Sequence, residues 1–449
     1  MTSTLRNELL YGTRALLRDH LAGGRLIRRL RQHETLSVPA LAQLQQSLLH
    51  RTLQTAIRRL PYYAHISADF GPAEAHEVLR REFPVITKRT LLDQPAALYP
   101  HGGQRRPWQP AGMTSGTTGA PLTVFRSLSS VLIEQAFIKR HWSWVGYAQG
   151  MPRATLRGDM VVALDCQQPP FWFWNRYDRQ LVLSSRHLTE VHADAIIDRL
   201  AALQPAMMQA YPSTAYTLAC LLQRRGRTLR IPYILTASEP TYAHQRELVS
   251  ERLGGQLVDM YGMAERVAFA TQCEHGSLHL NPDYSHVEIL DEQGQPTDDF
   301  GYVVGTTFHN QAMPLVRYQL SDRTRWKPGR CACGRPFPMI EPVTGKVEDA
   351  LSGSAGQMIS PSVLTFAFKG VPHIRKSQVA QVAAGVWEIR LVPDAGFGDA
   401  ERALLLSNIH HYVDAAITVR VVLRDDLPNT AAGKFRWVVN EIAARGRAE

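Results

Sequence analysis

The sequence predicts an α/β protein built from a large N-terminal part, with layered α/β and β-rich subdomains, and a small α+β C-terminal part. Three observations carry this. Between about residues 130 and 265, helix-like and strand-like stretches alternate, the pattern of a largely parallel sheet covered by helices. After about residue 275 the pattern changes to alternating strands with turn signals. The last hundred residues again mix strands and helices as a separate unit. At 449 residues the chain is too long for one ordinary core. The domains expected are 1–344, opening on a basic helical arm over 1–60, and a small mobile domain over 345–449.

The elements follow in order. Leu41, Leu44, Leu48 and Leu49 recur at helical spacing within the arm, and Pro61 ends that pattern. "FPVITKRTLLDQP" starts a short helix after Pro84. "SSVLIEQAFIKRHWSWVGY" reads as a helix capped by Ser129 or Ser130. "MVVALD" reads as a short buried strand. "VHADAIIDRLAALQP" is a helix ended by Pro205, "AMMQAYPS" a strand and turn, and "TAYTLACLLQRRG" a helix with Gly226 past its end. "YILTASEP" is a strand, "TYAHQRELVSERLGG" a helix and "QLVDMYGMAE" a strand and turn. "HVEILDEQGQPTDDFGYVVGTTF" alternates, with turns at Gln293-Gly294 and Phe300-Gly301. "VWEIRLVP", "DAERALLLSNIHHYVDAA" and "ITVRVVLRDDLP" make the final α+β unit.

Composition is that of a globular protein, 45% hydrophobic and 20% charged. No apolar run is long enough to span a bilayer, and the N-terminus lacks a secretory apolar region, so the cytoplasm is expected. Five cysteines in a chain of this size make no disulfide framework. The net charge of +10 is uneven: residues 1–60 hold ten Arg, no Lys and the acids Glu8, Asp19 and Glu34. Such an arm suits an anionic partner or a solvated helix face. No zinc-finger or RNA-platform signature accompanies it, so no nucleic acid is expected as partner. The oligomeric state is not legible.

Chemistry enters with "MTSGTTGAPLTVFRS", residues 113–127. Ser115, Gly116, Thr117, Thr118 and Gly119 make a poor helix and a weak strand. Their N–H and O–H groups can wrap phosphate oxygens, because glycine lets the backbone come close. The alternative is a surface turn. A second cluster is thiol-based. "CEHGSLH" supplies Cys273, His275 and His279, and "CACG" supplies Cys331 and Cys333. Three thiols and an imidazole suit a closed, tetrahedral structural zinc site, with His279 first as the fourth ligand and His275 in reserve. Buried free thiols are the alternative. Cys166 and Cys220 read as core. Aromatic density in "HWSWVGY" and "FWFWNRYD" offers Trp142, Trp144, Phe171 and Trp174 either to an aryl-acid pocket or to core packing. Tyr211 in "QAYPS" joins the acid-pocket candidates. His141 and Arg176 could pair with an acid or satisfy local hydrogen bonds.

Five stretches stand in one order: "TSGTTGAP", "ASEP", "DMYGMAE", "RYQLSD" and "LPNTAAGK". This order resembles the adenylate-forming ligases, which include acyl-CoA synthetases and the adenylation domains of peptide synthetases. "CACGRP", the Glu239-Pro240 pair and "PYY" resemble the phenylacetate–CoA ligase-like branch and its relatives from capsule-biosynthesis loci. The resemblance runs from about residue 50 to 440. It implies that a carboxylate attacks the α-phosphate of ATP, that pyrophosphate leaves, and that the acyl-adenylate then meets a thiol, most often that of CoA. The aromatic acids are the class expected.

The resemblance also implies residue roles. Residues 115–119 hold the β- and γ-phosphates. Ser238, Glu239 and Pro240 form the adenine rim, and Asp259, Tyr261 and Gly262 face the adenine and the acid. Glu265 binds Mg²⁺ and Asp322 takes the ribose hydroxyls, with Arg317 bracing it. Lys434 reaches the α-phosphate and carboxylate from a mobile loop. Lys346 stands where the family usually has arginine, which loosens ribose binding, and Glu348 matches the hinge about which the small domain turns. The lysine many relatives carry beside the proline of the glycine loop is missing here. A carrier-protein thiol or an amine as acceptor stays open, as does a catalytically degenerate nucleotide-binding or scaffold protein.

Overall fold

The computed structural model describes residues 8–9, 11–13, 15, 24–104, 106, 108–113, 122–343, 351–359, 361–364, 366–368, 370–427 and 436–442. Its centre is a ten-stranded sheet. Five neighbouring strands are parallel, in the order Gln180–Ser184, Arg153–Arg157, Met207–Ala210, Tyr233–Ala237 and Gln256–Gly262. Trp172–Asn175 closes one edge antiparallel. Phe269–Gln272, Leu278–Leu280, Met339–Ile340 and Trp326–Lys327 extend the other.

The parallel strands are apolar on both faces, as a sheet covered on both sides requires. Met208, Ala210, Ile234 and Leu257 pack under the helices Ala193–Leu203, Pro212–Arg224 and Ala243–Leu253. The alternate residues Met207, Leu235 and Val258 face the other way, onto Trp142, Val145 and Tyr147 at the end of the helix Leu128–Trp144. Ser127, not Ser129 or Ser130, caps that helix: its Oγ accepts from the Ser130 N–H at 3.1 Å.

One strand differs from expectation. "MVVALD" is irregular, and the parallel strand is the preceding "RATLR", Arg153–Arg157. The charge that hides this strand is neutralised inside the fold. Arg153 Nη2 donates to Gln180 Oε1 at 3.1 Å and lies 3.4 Å from Asp178. Val161 of "MVVALD" instead packs with Tyr11, Phe173 and Val182. Cys166 and Cys220 also depart from the core expectation, since both are partly exposed.

The β-rich region is a three-stranded antiparallel sheet of Ser285–Leu290, Gly301–Thr307 and Tyr318–Thr324. It shares a core with the helix Val38–Arg59 of the basic arm and with Leu122, Val124 and Phe125. The helix Gly24–His33 is tied down by a buried ion pair. Arg140 is bidentate to Asp283 at 2.7 and 2.9 Å and also donates to Leu30 O, while His33 Nδ1 lies 2.7 Å from Asp283. Arg25, Arg28, Arg29 and Arg31 of the same helix face solvent.

Past residue 350, a four-stranded sheet runs Thr418–Leu423, Val386–Pro393, Ile374–Ala383 and Val438–Asn440, beside the helix Asp399–Tyr412. Trp387 and Trp437 are fully buried in its own core. Among the described residues, Tyr211 of the large sheet region joins that core.

Candidate nucleotide and acid site

Parallel register brings the carboxyl ends of the central strands level. Leu156 pairs with Ala210, Ala210 with Thr236, Thr236 with Asp259, and Arg157 with Ser184. Arg157, Tyr211, Ser238 and Tyr261 therefore stand along one rim, the place where open α/β sheets bind ligands. Ser238 holds a left-handed backbone, φ +75°, which a side chain tolerates only under constraint from its surroundings. Its Oγ accepts from Arg157 Nη2 at 3.4 Å. Glu239, next along, accepts the Ser213 N–H at 3.1 Å, and Pro240 follows it.

Two of the motif residues meet directly. The Tyr261 hydroxyl donates to Asp322 Oδ2 at 2.8 Å. Burial and then the Asp322 charge hold the phenol well above its ordinary pKa, so it remains a donor. Glu265 is buried below them and receives the Tyr318 hydroxyl at 3.5 Å. Arg317, with φ +47°, clamps Glu288 with two hydrogen bonds at 3.0 and 3.1 Å and donates to Phe83 O, which fixes the strand that carries Asp322. Asp259 lies one layer further in, where it accepts from Thr236 Oγ1 at 3.1 Å. Burial raises its carboxyl to about 6, against the Met260 N–H, Thr236 and Arg246. Gly262 ends the same strand at the surface.

The strands Ala111–Met113 and Thr123–Phe125 pair antiparallel and flank the glycine loop. Ser115, Gly116, Thr117, Thr118 and Gly119 lie outside the described residues, as do Lys346, Glu348 and Lys434. Just past the loop stands Arg126, which sequence reasoning passed over. Its Nη2 donates to Ala264 O at 3.1 Å, and a Cβ at Gly112 would run into its guanidinium. Arg157 and Arg186 were likewise missed. Only the oddity of an arginine closing a buried strand could have signalled Arg157.

The aromatic candidates disperse. Trp142 packs against Val145, Tyr147 and Met207, with Arg153 over its ring. Trp144 packs against Leu41, Cys273 and Phe337. Phe171 stacks on His187, and Trp174 lies under Arg199 on the edge strand. Tyr211 alone of the acid-pocket candidates stands on the rim. His141 Nε2 donates to Gln272 O at 2.9 Å, and Arg176 lies 3.4 Å from Glu8.

The thiol cluster does assemble. Ligand atoms of Cys273, His279, Cys331 and Cys333 all lie within 4.8 Å of one another. Cys273 and Cys331 sulfurs are 3.6 Å apart, and Cys333 Sγ is 3.4 Å from His279 Nε2. His279 Nδ1 is engaged by Phe337 O at 3.0 Å, which leaves Nε2 to face the thiols. His275 is exposed and outside the cluster. Burial raises the Cys331 thiol, but hydrogen bonds from the Cys333 N–H, Ser277 and its other neighbours outweigh that and bring it to about 6. Four soft and borderline donors at this spacing fit tetrahedral Zn²⁺.

The fold is that of the adenylate-forming acyl-CoA ligases. A 2-hydroxyisobutyryl-CoA ligase in complex with 2-HIB-AMP and CoA superimposes with a TM-score of 0.59 at 18% identity, over 93% of this chain and 94% of that one. In sequence the chain is related to the phenylacetate–CoA ligase-like branch. It is 26% identical to a phenylacetate-coenzyme A ligase of Thermus thermophilus over 76% of this chain and 78% of the relative. It is 27% identical to that of Escherichia coli over 71% and 74%. Protein CapK of Staphylococcus aureus is 21% identical over 73% and 74%. The CapK C-terminal domain family matches residues 351–441.

Proposed function

We propose that this chain is an AMP-forming acid–thiol ligase. A carboxylate oxygen of the acid attacks the α-phosphorus of ATP, the α–β anhydride bond breaks, and pyrophosphate leaves. A thiol, most simply that of CoA, then attacks the acyl carbonyl, releasing AMP and the thiol proton. The observation that carries this is the placement of the Asp322 and Glu265 carboxylates around Tyr261 at the carboxyl end of the last parallel strand. Asp322, oriented by Tyr261, takes the ribose hydroxyls. Glu265 offers an oxygen ligand to Mg²⁺ bridging the phosphates. Residues 115–119 hold the β- and γ-phosphates, and Lys434 delivers its charge to the reacting oxygens. Ser238, Glu239 and Pro240 form the rim of the adenine site.

In this reading residues 345–449 form the mobile small domain, turning about Glu348 between the half-reactions, with Lys346 near the ribose. Cys273, His279, Cys331 and Cys333 hold a structural zinc. A reaction that consumes ATP and CoA points to the cytoplasm, and among the described residues no helix is long and apolar enough to cross a membrane. Carboxylate-dependent exchange of labelled pyrophosphate into ATP tests the first step. Supplying CoA, a phosphopantetheinylated carrier protein or an amine then identifies the acceptor. Exchange with an acid followed by thioester formation on CoA is expected. ATP binding with no exchange for any acid would instead support the scaffold reading.

A further inference from the structure

The rim of the parallel sheet continues past the nucleotide residues to two arginines whose N–H groups are not all used. Across the strands the order is Tyr261, Ser238, Tyr211, Arg157, then Arg186 in the turn after Gln180–Ser184. Neighbouring strands stand about 4.8 Å apart. Arg186 therefore follows the strand two places beyond the one that leads to Tyr211, on the side away from Tyr261 and Asp322.

Arg186 is 6% exposed. Its Nη1 donates to Gly158 O at 2.9 Å, but its Nε and Nη2 are buried with no hydrogen-bond partner among the described residues. Arg157 Nε is likewise buried with no partner among the described residues. The Arg157 guanidinium is held over the Tyr211 ring, 4.9 Å from its centroid, with Nη2 on Ser238 Oγ. Burial lowers the Arg186 pKa to about 10, with the Asp159 and Tyr211 charges working against it, so the group is still a cation at neutral pH. Among the described residues, Asp159 and Glu239 are the acids that act on this corner. Neither accepts from the three idle N–H positions. A buried guanidinium donor left without an acceptor is costly, and a fork of such donors matches a carboxylate. The reacting carboxylate must lie at the nucleotide end, so an acceptor at the arginines belongs to the far end of the same molecule.

We propose that the acid activated here carries a second carboxylate, bound at its distal end by Arg157 and Arg186, so that the substrate is a dicarboxylic acid rather than a simple monoacid. This inference rests on the ligase reading above. It names only the substrate class, and an aromatic dicarboxylic acid satisfies both.

The test is pyrophosphate exchange with matched pairs: succinate and butyrate, glutarate and valerate, 4-carboxyphenylacetate and phenylacetate. The diacid of at least one pair is expected to exceed its monoacid by about tenfold or more in kcat/KM, since a site built for a polar group rejects the analogue lacking it. Arg186→Met should abolish that ratio; Arg157→Met, which also releases Ser238, should abolish the ratio whatever it does to the absolute rates. A purely structural role would lower both members of a pair equally and leave the ratio unchanged, which would overturn the proposal. So would wild-type exchange that is equal for both members, or better with the monoacids. Thermal denaturation of the same proteins separates this inference from the ligase reading. If no acid supports exchange, a diacid that raises the wild-type melting temperature, but not that of Arg186→Met, keeps the inference and removes the ligase. If diacids and monoacids stabilise alike, the inference falls.

Discussion

The Tyr261 hydroxyl and the Asp322 carboxylate are joined by a 2.8 Å hydrogen bond that crosses from the last parallel strand to the antiparallel sheet behind it. Asp322 is buried, only 6% exposed, and the phenol is its orienting donor. A hydrogen bond to a charged group contributes about 1.5–3 kcal/mol. Tyr261→Phe should therefore raise the KM for ATP by roughly tenfold, with a smaller effect on kcat. Asp322→Ala should lower kcat/KM for ATP by about a hundredfold. Initial rates of acid-dependent pyrophosphate release against ATP concentration measure both. Unchanged ATP kinetics in Asp322→Ala would remove the ribose role.

Lys434 supplies a point charge to oxygens that become more negative as the α-phosphorus is attacked. Lys434→Ala should cost about 10²–10³ in the adenylation rate and leave the melting temperature within a degree or two. If thioester formation from supplied acyl-adenylate survives in this variant while adenylation does not, the charge acts in the first half-reaction alone.

The cluster of Cys273, His279, Cys331 and Cys333 should carry one zinc per chain after purification without chelator. Cys333→Ser should lose the metal and lower the melting temperature. Trp144 reports on the same event, because its ring lies 6.1 Å from the centroids of both His279 and Phe337, with Arg335 4.3 Å above it. Chelation should shift its emission, and Trp144→Phe should remove that shift. Metal analysis below a tenth of an equivalent would contradict the site.

Stability should fall with acid from about pH 6.5 downward, ahead of the carboxylates other than Asp259, whose raised value lies near 6. Burial, with Arg335 and Arg140 nearby and Gln272 O opposing, depresses His141 to about 4. Burial, His76, Arg80 and Arg317 depress His286 to about 3. Both imidazoles are neutral in the fold and take up protons more readily once unfolded. Their contribution is complete above the unfolded value near 6.5 and is lost as pH falls through 6.5 towards 4 and then 3. Over their full span the shifts correspond to about 3 kcal/mol for His141 and about 5 kcal/mol for His286. Asp283 works at lower pH. Burial opposes its charge, but Arg140 and His33 hold it far below the usual carboxylate range, so its share is lost only in strong acid. Denaturant midpoints from pH 8 to 4 should decline in the wild type and decline less in His141→Gln.

Motif order and hydrophobic period made much of the fold legible. The strands ending in Ala237 and Gly262 announce themselves as β-branched and apolar runs. Arg153–Arg157 did not, because a buried arginine at its start reads as surface until Gln180 and Asp178 are seen beside it. The Tyr261–Asp322 contact joins residues 61 positions apart, so the sequence could offer roles for each but not their meeting. Trp142 and Trp144 misled for a related reason: aromatic density says that a surface is covered, not which surface. Arg126, Arg157 and Arg186 look like ordinary surface charges, and only burial and idle N–H groups mark them out.

The central claim is an acyl-adenylate, and oxygen transfer tests it most directly. The protein is incubated with ATP, Mg²⁺, CoA and an acid labelled with oxygen-18 in its reacting carboxylate, and the AMP is weighed by mass spectrometry. Attack of that carboxylate on the α-phosphorus predicts AMP carrying one heavy oxygen. Unlabelled AMP, or ADP with labelled inorganic phosphate, would contradict the account.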